Sequence, residues 1–137
     1  MDKEWEREPN RVEFTYRGFR CLILRHDEVL HLCGYVVLPE DHPYYGWDMS
    51  ALEMLRCHGG ITFSSKGDGK YWNKECWYMG FDCSHVSDYS PGSGLEHIYV
   101  GKQEYRNIEY VTEEIKRLVD QLTDEGILAT SLRDSNE

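Results

Sequence analysis

The sequence predicts one small α+β domain: an antiparallel sheet of about five strands with one long C-terminal helix packed across it. Three observations predict it. Short segments alternate apolar and polar residues with a period of two, glycine-bearing turns separate them, and one stretch near the C-terminus repeats apolar residues at helical spacing. The chain has 137 residues. That is the size of one ordinary domain, able to bury a core without disulfides or metal.

Residues 1–10 read as a flexible charged tail, 11–128 as the domain, and 129–137 as a second flexible tail. Val12 to Tyr16 alternates as a strand, Arg17-Gly18 turns the chain, and Phe19 to Leu24 returns as the second arm of a hairpin. His31 to Leu38 is a third strand, ended by Pro39. Glu40 to Asp48 is a loop punctuated by His42-Pro43 and Gly46. Met49 to Arg56 fits either helical turns or an extended approach. Gly60 to Ser64 and Cys76 to Asp82 read as a strand pair around the turn Lys66-Gly67-Asp68-Gly69-Lys70. Alternation there puts Ile61 and Phe63, with Trp77, Met79 and Phe81, on the buried face. Ser90-Pro91-Gly92-Ser93-Gly94 reads as a flexible loop. The helix spans about Asn107 to Glu125, with Ile108, Val111, Ile115, Leu118, Val119 and Leu122 in one stripe and Gly126 at the position of a C-cap.

Composition narrows the function. The formal net charge is −10, so most of the surface repels a phosphate backbone, and no basic stripe is visible. Duplex nucleic acid and anionic membranes are therefore not expected as partners. An acidic surface of this kind can still imitate nucleic acid for a basic protein. The five cysteines include no C-x-x-C pair, the charged N-terminus does not resemble a signal peptide, and no apolar run approaches a membrane span of about 20 residues. Reduced thiols in a cytoplasm are expected. Aromatic residues form 13% of the chain, enough to supply both a core and a ligand pocket.

Two segments carry most of the chemistry. In Cys57-His58-Gly59-Gly60-Ile61-Thr62, paired glycines bare the backbone beside an imidazole and a hydroxyl. The bland alternative is a glycine turn at a strand entry. In Asp82-Cys83-Ser84-His85-Val86-Ser87-Asp88, two carboxylates, a thiol, two hydroxyls and an imidazole follow directly on a core strand. The alternative is a polar loop whose Asp82 satisfies backbone N–H groups. If the two strands pair antiparallel, His58 and Asp82 meet at one edge of the sheet.

His58, Asp82, His85 and Asp88 have donor types that suit zinc, iron or manganese, but no spacing is diagnostic, and no metal or other cofactor is expected. Cys83 with His58 or His85 would make a thiolate–imidazolium pair, although no helix N-terminus stands behind Cys83 to activate it. Gly67-Asp68-Gly69-Lys70 lacks phosphate-loop spacing and reads as a turn. At the mouth of the long helix, Arg106 is either an anion contact or the partner of an acid, with Asn107 as the N-cap. His42-Pro43-Tyr44-Tyr45-Gly46-Trp47 is an aromatic loop, either a stacking lid or a satellite core.

Taken in order, Gly34-Tyr35-Val36, His42-Pro43-Tyr44-Tyr45-Gly46, His58-Gly59-Gly60-Ile61-Thr62-Phe63, Trp77-Tyr78-Met79-Gly80-Phe81-Asp82-Cys83-Ser84-His85 and Tyr105-Arg106-Asn107-Ile108-Glu109-Tyr110-Val111 resemble a family of small bacteriophage and prophage proteins of no settled activity. The resemblance covers roughly residues 31 to 122. It implies a viral protein in the cytoplasm of an infected bacterium, and counter-defence as its setting.

The expectation that follows is a homo-oligomeric protein that binds a small polar ligand, a nucleotide immune signal being the leading class. His58, Gly59, Gly60, Thr62, Asp82, Cys83, His85 and Asp88 would form the polar part. Tyr45 and Trp47 would stack on a base, and Arg106 would contact an anion. No catalytic residue is assigned. Two alternatives stand beside it: a metal- or cysteine-dependent hydrolase, and an acidic inhibitor of a host defence protein.

Overall fold

The computed structural model describes residues 3–69, 72–85, 88–92 and 104–128. Five strands, β1 (Arg11–Tyr16), β2 (Phe19–Arg25), β3 (Leu32–Leu38), β4 (Phe63–Lys66) and β5 (Trp77–Asp82), form one sheet in the order β1-β2-β3-β5-β4, and every neighbouring pair is antiparallel. A short helix, α1 (Glu4–Arg7), precedes the sheet, and α2 (Ile108–Leu122) crosses it over β2 and β3. The α+β architecture expected from the sequence is the one observed.

Local chemistry explains the elements that the sequence announced. Arg17 and Gly18 both have positive φ, 50° and 85°, the geometry that the tightest β-hairpins require. Asn107 caps α2 by accepting a hydrogen bond from the Tyr110 amide at 2.8 Å. Val111, Ile115, Leu118, Val119 and Leu122 are buried along one side of the helix. Beneath them lie Cys21, Ile23, Val36, Met79 and Phe81 of the sheet.

Gly34 sets how closely the two layers approach. A Cβ there would lie 2.8 Å from the Phe81 ring and 2.9 Å from the Ile115 side chain. The stretch 49–56, left open by the sequence, forms a 3-10 turn (Met49–Leu52) capped by Asp48, and Leu52 and Leu55 enter the core.

Four expectations need correction. First, Phe63 does not share the helix-facing side. Its register partner is Gly80, which also faces Tyr35, so Phe63 lies on the opposite surface of the sheet. There it stacks on Trp72 at 4.9 Å and meets Tyr35 edge-on at 5.7 Å.

Second, residues 3–10 are held against the domain instead of fraying. Trp5 packs between Tyr89 and Tyr105 at 5.3 and 5.2 Å. The Glu8 carboxylate accepts from the Ile108 amide at 2.8 Å and the Tyr105 hydroxyl at 2.6 Å, and it pairs with the buried Arg25. These charges read as a solvated tail because their partners lie about 100 residues away in sequence.

Third, α2 ends at Thr123, and Gly126 sits in a further helical turn over 124–128, its amide donating to Thr123 Oγ1. Fourth, the aromatic loop, read as either a stacking lid or a satellite core, joins the main core: Tyr44 belongs to the buried cluster with Tyr45 packed against it, His42 is buried, and a His42 ring nitrogen bonds the Leu122 carbonyl at 2.8 Å.

The tail 129–137, Lys70, Val86, Ser87, Ser93 and Gly94 lie outside the described residues. Among the described residues no helix is long and apolar enough to cross a membrane.

Because Gly34 lies where β3, Phe81 and Ile115 converge, Gly34→Ala is expected to destabilise the fold by about 1–3 kcal/mol through overpacking. Urea unfolding of the two proteins measures it.

Candidate functional site

β4 and β5 pair antiparallel, and the Thr62 amide continues the ladder by donating to the Gly80 carbonyl at 2.9 Å. The segment entering β4 therefore lies beside the segment leaving β5, as the sequence suggested. Gly59 and Gly60 both have positive φ, 70° and 83°, which folds their loop back tightly. A Cβ on Gly59 would fall 2.2 Å from the His85 ring, so the imidazole rests against bare backbone.

The centre of the site is the Asp88 carboxylate, whose side chain is 0% exposed. Its Oδ2 lies 2.7 Å from His58 Nε2, 3.0 Å from the His85 amide nitrogen and 3.1 Å from His85 Nδ1. Its Oδ1 accepts from Arg106 Nε at 2.8 Å. A carboxylate only accepts, so all four nitrogens are donors. Burial alone would push the Asp88 carboxyl up. The hydrogen bonds from His58, from Arg106 and from the amide and Nδ1 of His85 outweigh it and hold the group well below the usual carboxylate range. Asp88 is therefore an ionised, fully satisfied hub.

Each donor is held from behind. His58 Nδ1 meets the Tyr110 hydroxyl at 2.7 Å; with Nε2–H donating to Asp88, a neutral His58 accepts the phenol proton there. Arg106 reaches Glu104 at 2.7 Å and lies 5.0 Å over the Tyr110 ring. His85 Nε2 faces Asp82 Oδ1 at 3.8 Å, too long for a hydrogen bond. These two side chains are 34% and 37% exposed and form the solvent side of the cluster. Asp82 also accepts from the Ser84 amide at 3.2 Å, the local turn anticipated for it.

His31 is 5% exposed, its ring stacks on His26 at 5.0 Å, and its Nδ1 has no hydrogen-bond partner among the described residues. Burial lowers its pKa first. His26 and His85 lower it further, against the opposing pull of Asp82 and Asp88.

The expected site residues thus divide. His58, Gly59, Asp82, His85 and Asp88 come together, with Gly60 shaping their loop. Thr62 is exposed, and no hydrogen bond among the described residues ties its hydroxyl to the cluster.

Cys83 is buried, and burial pushes its thiol up, which removes it both as a ligand contact and as the nucleophile of a cysteine-dependent hydrolase. Cys57 is likewise pushed up to about 12, by burial first. Arg106 is engaged by Asp88 and Glu104, as the ion-pair reading had it, so it is not a free anion contact.

Tyr45 and Trp47 lie elsewhere. Tyr45 packs on Trp77 at 5.5 Å, and the Trp47 carbonyl accepts from Ser64 Oγ, which Trp77 Nε1 also contacts. Trp77 starts β5 and Asp82 ends it, so the aromatic loop is separated from the cluster by about 17 Å of strand.

Tyr110 and His31 were not anticipated. Tyr110 belongs to the polar margin of an amphipathic helix, and nothing in its spacing marks the phenol.

One atom each from His58, His85 and Asp88 lies within 4.8 Å of the others, so among the described residues these three side chains are placed to share a metal ion. No protein-family model, curated protein or solved structure matches the chain.

Two outcomes follow. Gly59→Ala is expected to cost about 1–3 kcal/mol, because alanine is strained at positive φ and its methyl displaces the His85 ring. Thermal unfolding gives the loss.

The depressed pKa of His31 means that the unfolded chain binds its proton more readily. The stability it confers is complete above the unfolded value of about 6.5 and declines as pH falls below it. Urea midpoints between about pH 8 and pH 5 are expected to fall more steeply for the natural protein than for His31→Leu.

Proposed function

We propose that this protein binds a small polar ligand at the surface where Asp82, His85 and the Gly59-Gly60 backbone meet. The observation that carries the reading is the convergence of His58, His85 and Arg106, drawn from three chain segments, on one fully buried carboxylate. A buried ion network contributes little net stability compared with apolar packing of the same volume. Such networks, with their shifted protonation, concentrate at functional sites. Here the network fixes His85 and leaves its outer edge, with Asp82, facing solvent.

The resemblance to phage proteins supplies the setting for this proposal: capture of a host signal molecule in the infected cytoplasm, without turnover, by a self-associating protein. A nucleotide remains the leading class, as the resemblance implies. Two contacts assigned to it are changed, because the Tyr45–Trp47 loop lies at the far end of β5 and Arg106 is already paired. The acceptors of Asp82 and the imidazole of His85 suit the hydroxyl, amine or amide donors of a ribose or base better than they suit phosphate.

A thermal-shift and calorimetry panel of nucleotides and small polar metabolites, each near 1 mM and run both with and without chelator, tests the reading. Ligand at about 100 times its Kd adds about 2.7 kcal/mol of stability. At least one compound is expected to stabilise the natural protein and to lose that effect in His85→Ala and Asp82→Asn. The proposal fails if no compound stabilises the protein, or if both variants respond as the natural chain does.

A further inference from the structure

We infer that His58, His85 and Asp88 form a mononuclear site for a divalent transition metal ion. The inference rests on the reading above in taking the cluster as a binding site, and it names what that site holds first. Two imidazoles and one carboxylate are the donor set that suits zinc, iron(II) or manganese(II) and leaves coordination positions open for a small ligand.

The geometry around the three groups is the first support. Zinc bound at about 2.0–2.2 Å holds neighbouring tetrahedral ligands about 3.3 Å apart. His58 Nε2 and His85 Nδ1 lie 2.7 and 3.1 Å from Asp88 Oδ2, and all three atoms lie within 4.8 Å of one another, so the set surrounds one point that an ion can take with adjustment of the side chains. Proton balance is simple. The ion takes the place of the protons on His58 Nε2 and His85 Nδ1, and each neutral ring carries its single proton on the other nitrogen.

The outer partners are the second support, and they are already in position. Metal-bound histidines donate their remaining N–H to a carboxylate, carbonyl or hydroxyl, and metal-bound carboxylates are hydrogen-bonded in turn. Here the Tyr110 hydroxyl stands 2.7 Å from His58 Nδ1, Asp82 stands 3.8 Å from His85 Nε2, and Arg106 donates to Asp88 Oδ1 at 2.8 Å. His58 and Asp88 thus already have a hydrogen-bonded outer partner, and the Asp82 carboxylate faces the outer nitrogen of His85.

The test is titration of the purified full chain with cobalt(II) and with zinc, followed by calorimetry and by cobalt ligand-field absorption. One ion per chain is expected. His58→Gln and His85→Gln are expected to weaken binding by at least about 100-fold, and the outer variants Tyr110→Phe and Asp82→Asn by about 10–100-fold. His26→Gln, away from the cluster, is expected to bind like the natural protein. His85 is one-third exposed, so its variant reports even if His58→Gln fails to fold.

Binding weaker than about 0.1 mM, or binding unchanged in His85→Gln, overturns the inference. A ligand that stabilises the protein in chelator while no metal binds removes this inference and leaves the ligand-binding reading. Stoichiometric metal without any organic ligand does the reverse.

Discussion

The Asp88 carboxylate is the constraint on which this end of the molecule depends. An ionised carboxylate withdrawn from water costs several kcal/mol even after relaxation, and far more in a medium without donors. Four nitrogens meet that cost, and they come from the loop before β4, from the loop after β5 and from the residue just ahead of the α2 cap. Each segment is thereby tied to the same point. Removal of any one donor weakens that match in a dry environment, so the three segments are coupled through one group.

The sheet makes that convergence possible. The antiparallel β4–β5 pair returns the chain to the edge it left, and the paired positive-φ glycines bring the loop close enough for His85 to rest on bare backbone. Gly34 lets α2 settle onto the sheet, which sets the height of its first turn and therefore of Tyr110 behind His58. At the same end, Glu8 and Asn107 together satisfy amides of that first turn, and negative charge there complements the helix dipole. The N-terminal segment is thus a part of the scaffold that aims the site.

Period-two alternation, the Arg17-Gly18 turn and the helical stripe were readable because each depends on residues close in sequence. The Asn107 cap was readable for the same reason. The side taken by Phe63 was not, since it follows from register with Gly80, and a slip of one residue reverses every side chain. The helix end was misplaced because Thr123, and not Gly126, supplies the stop. At the site, local spacing brought out His58, Asp82, His85 and Asp88, and hairpin geometry placed them together. Spacing could not show that Asp88 is the buried centre, that Arg106 faces inward to it, or that Tyr110 stands 52 residues from its partner His58. The Tyr45–Trp47 loop failed for the opposite reason: its composition suits a lid, but composition carries no position.

The central claim is that one ionised carboxylate orders two imidazoles by accepting from a specified nitrogen of each. Long-range proton–nitrogen NMR of the imidazole rings tests it most directly, in chelator-treated protein near neutral pH. The account predicts a persistent proton on Nε2 of His58 and on Nδ1 of His85, with both assignments lost in Asp88→Asn. Rings that average freely between tautomers, or that carry their protons on the opposite nitrogens, would contradict it.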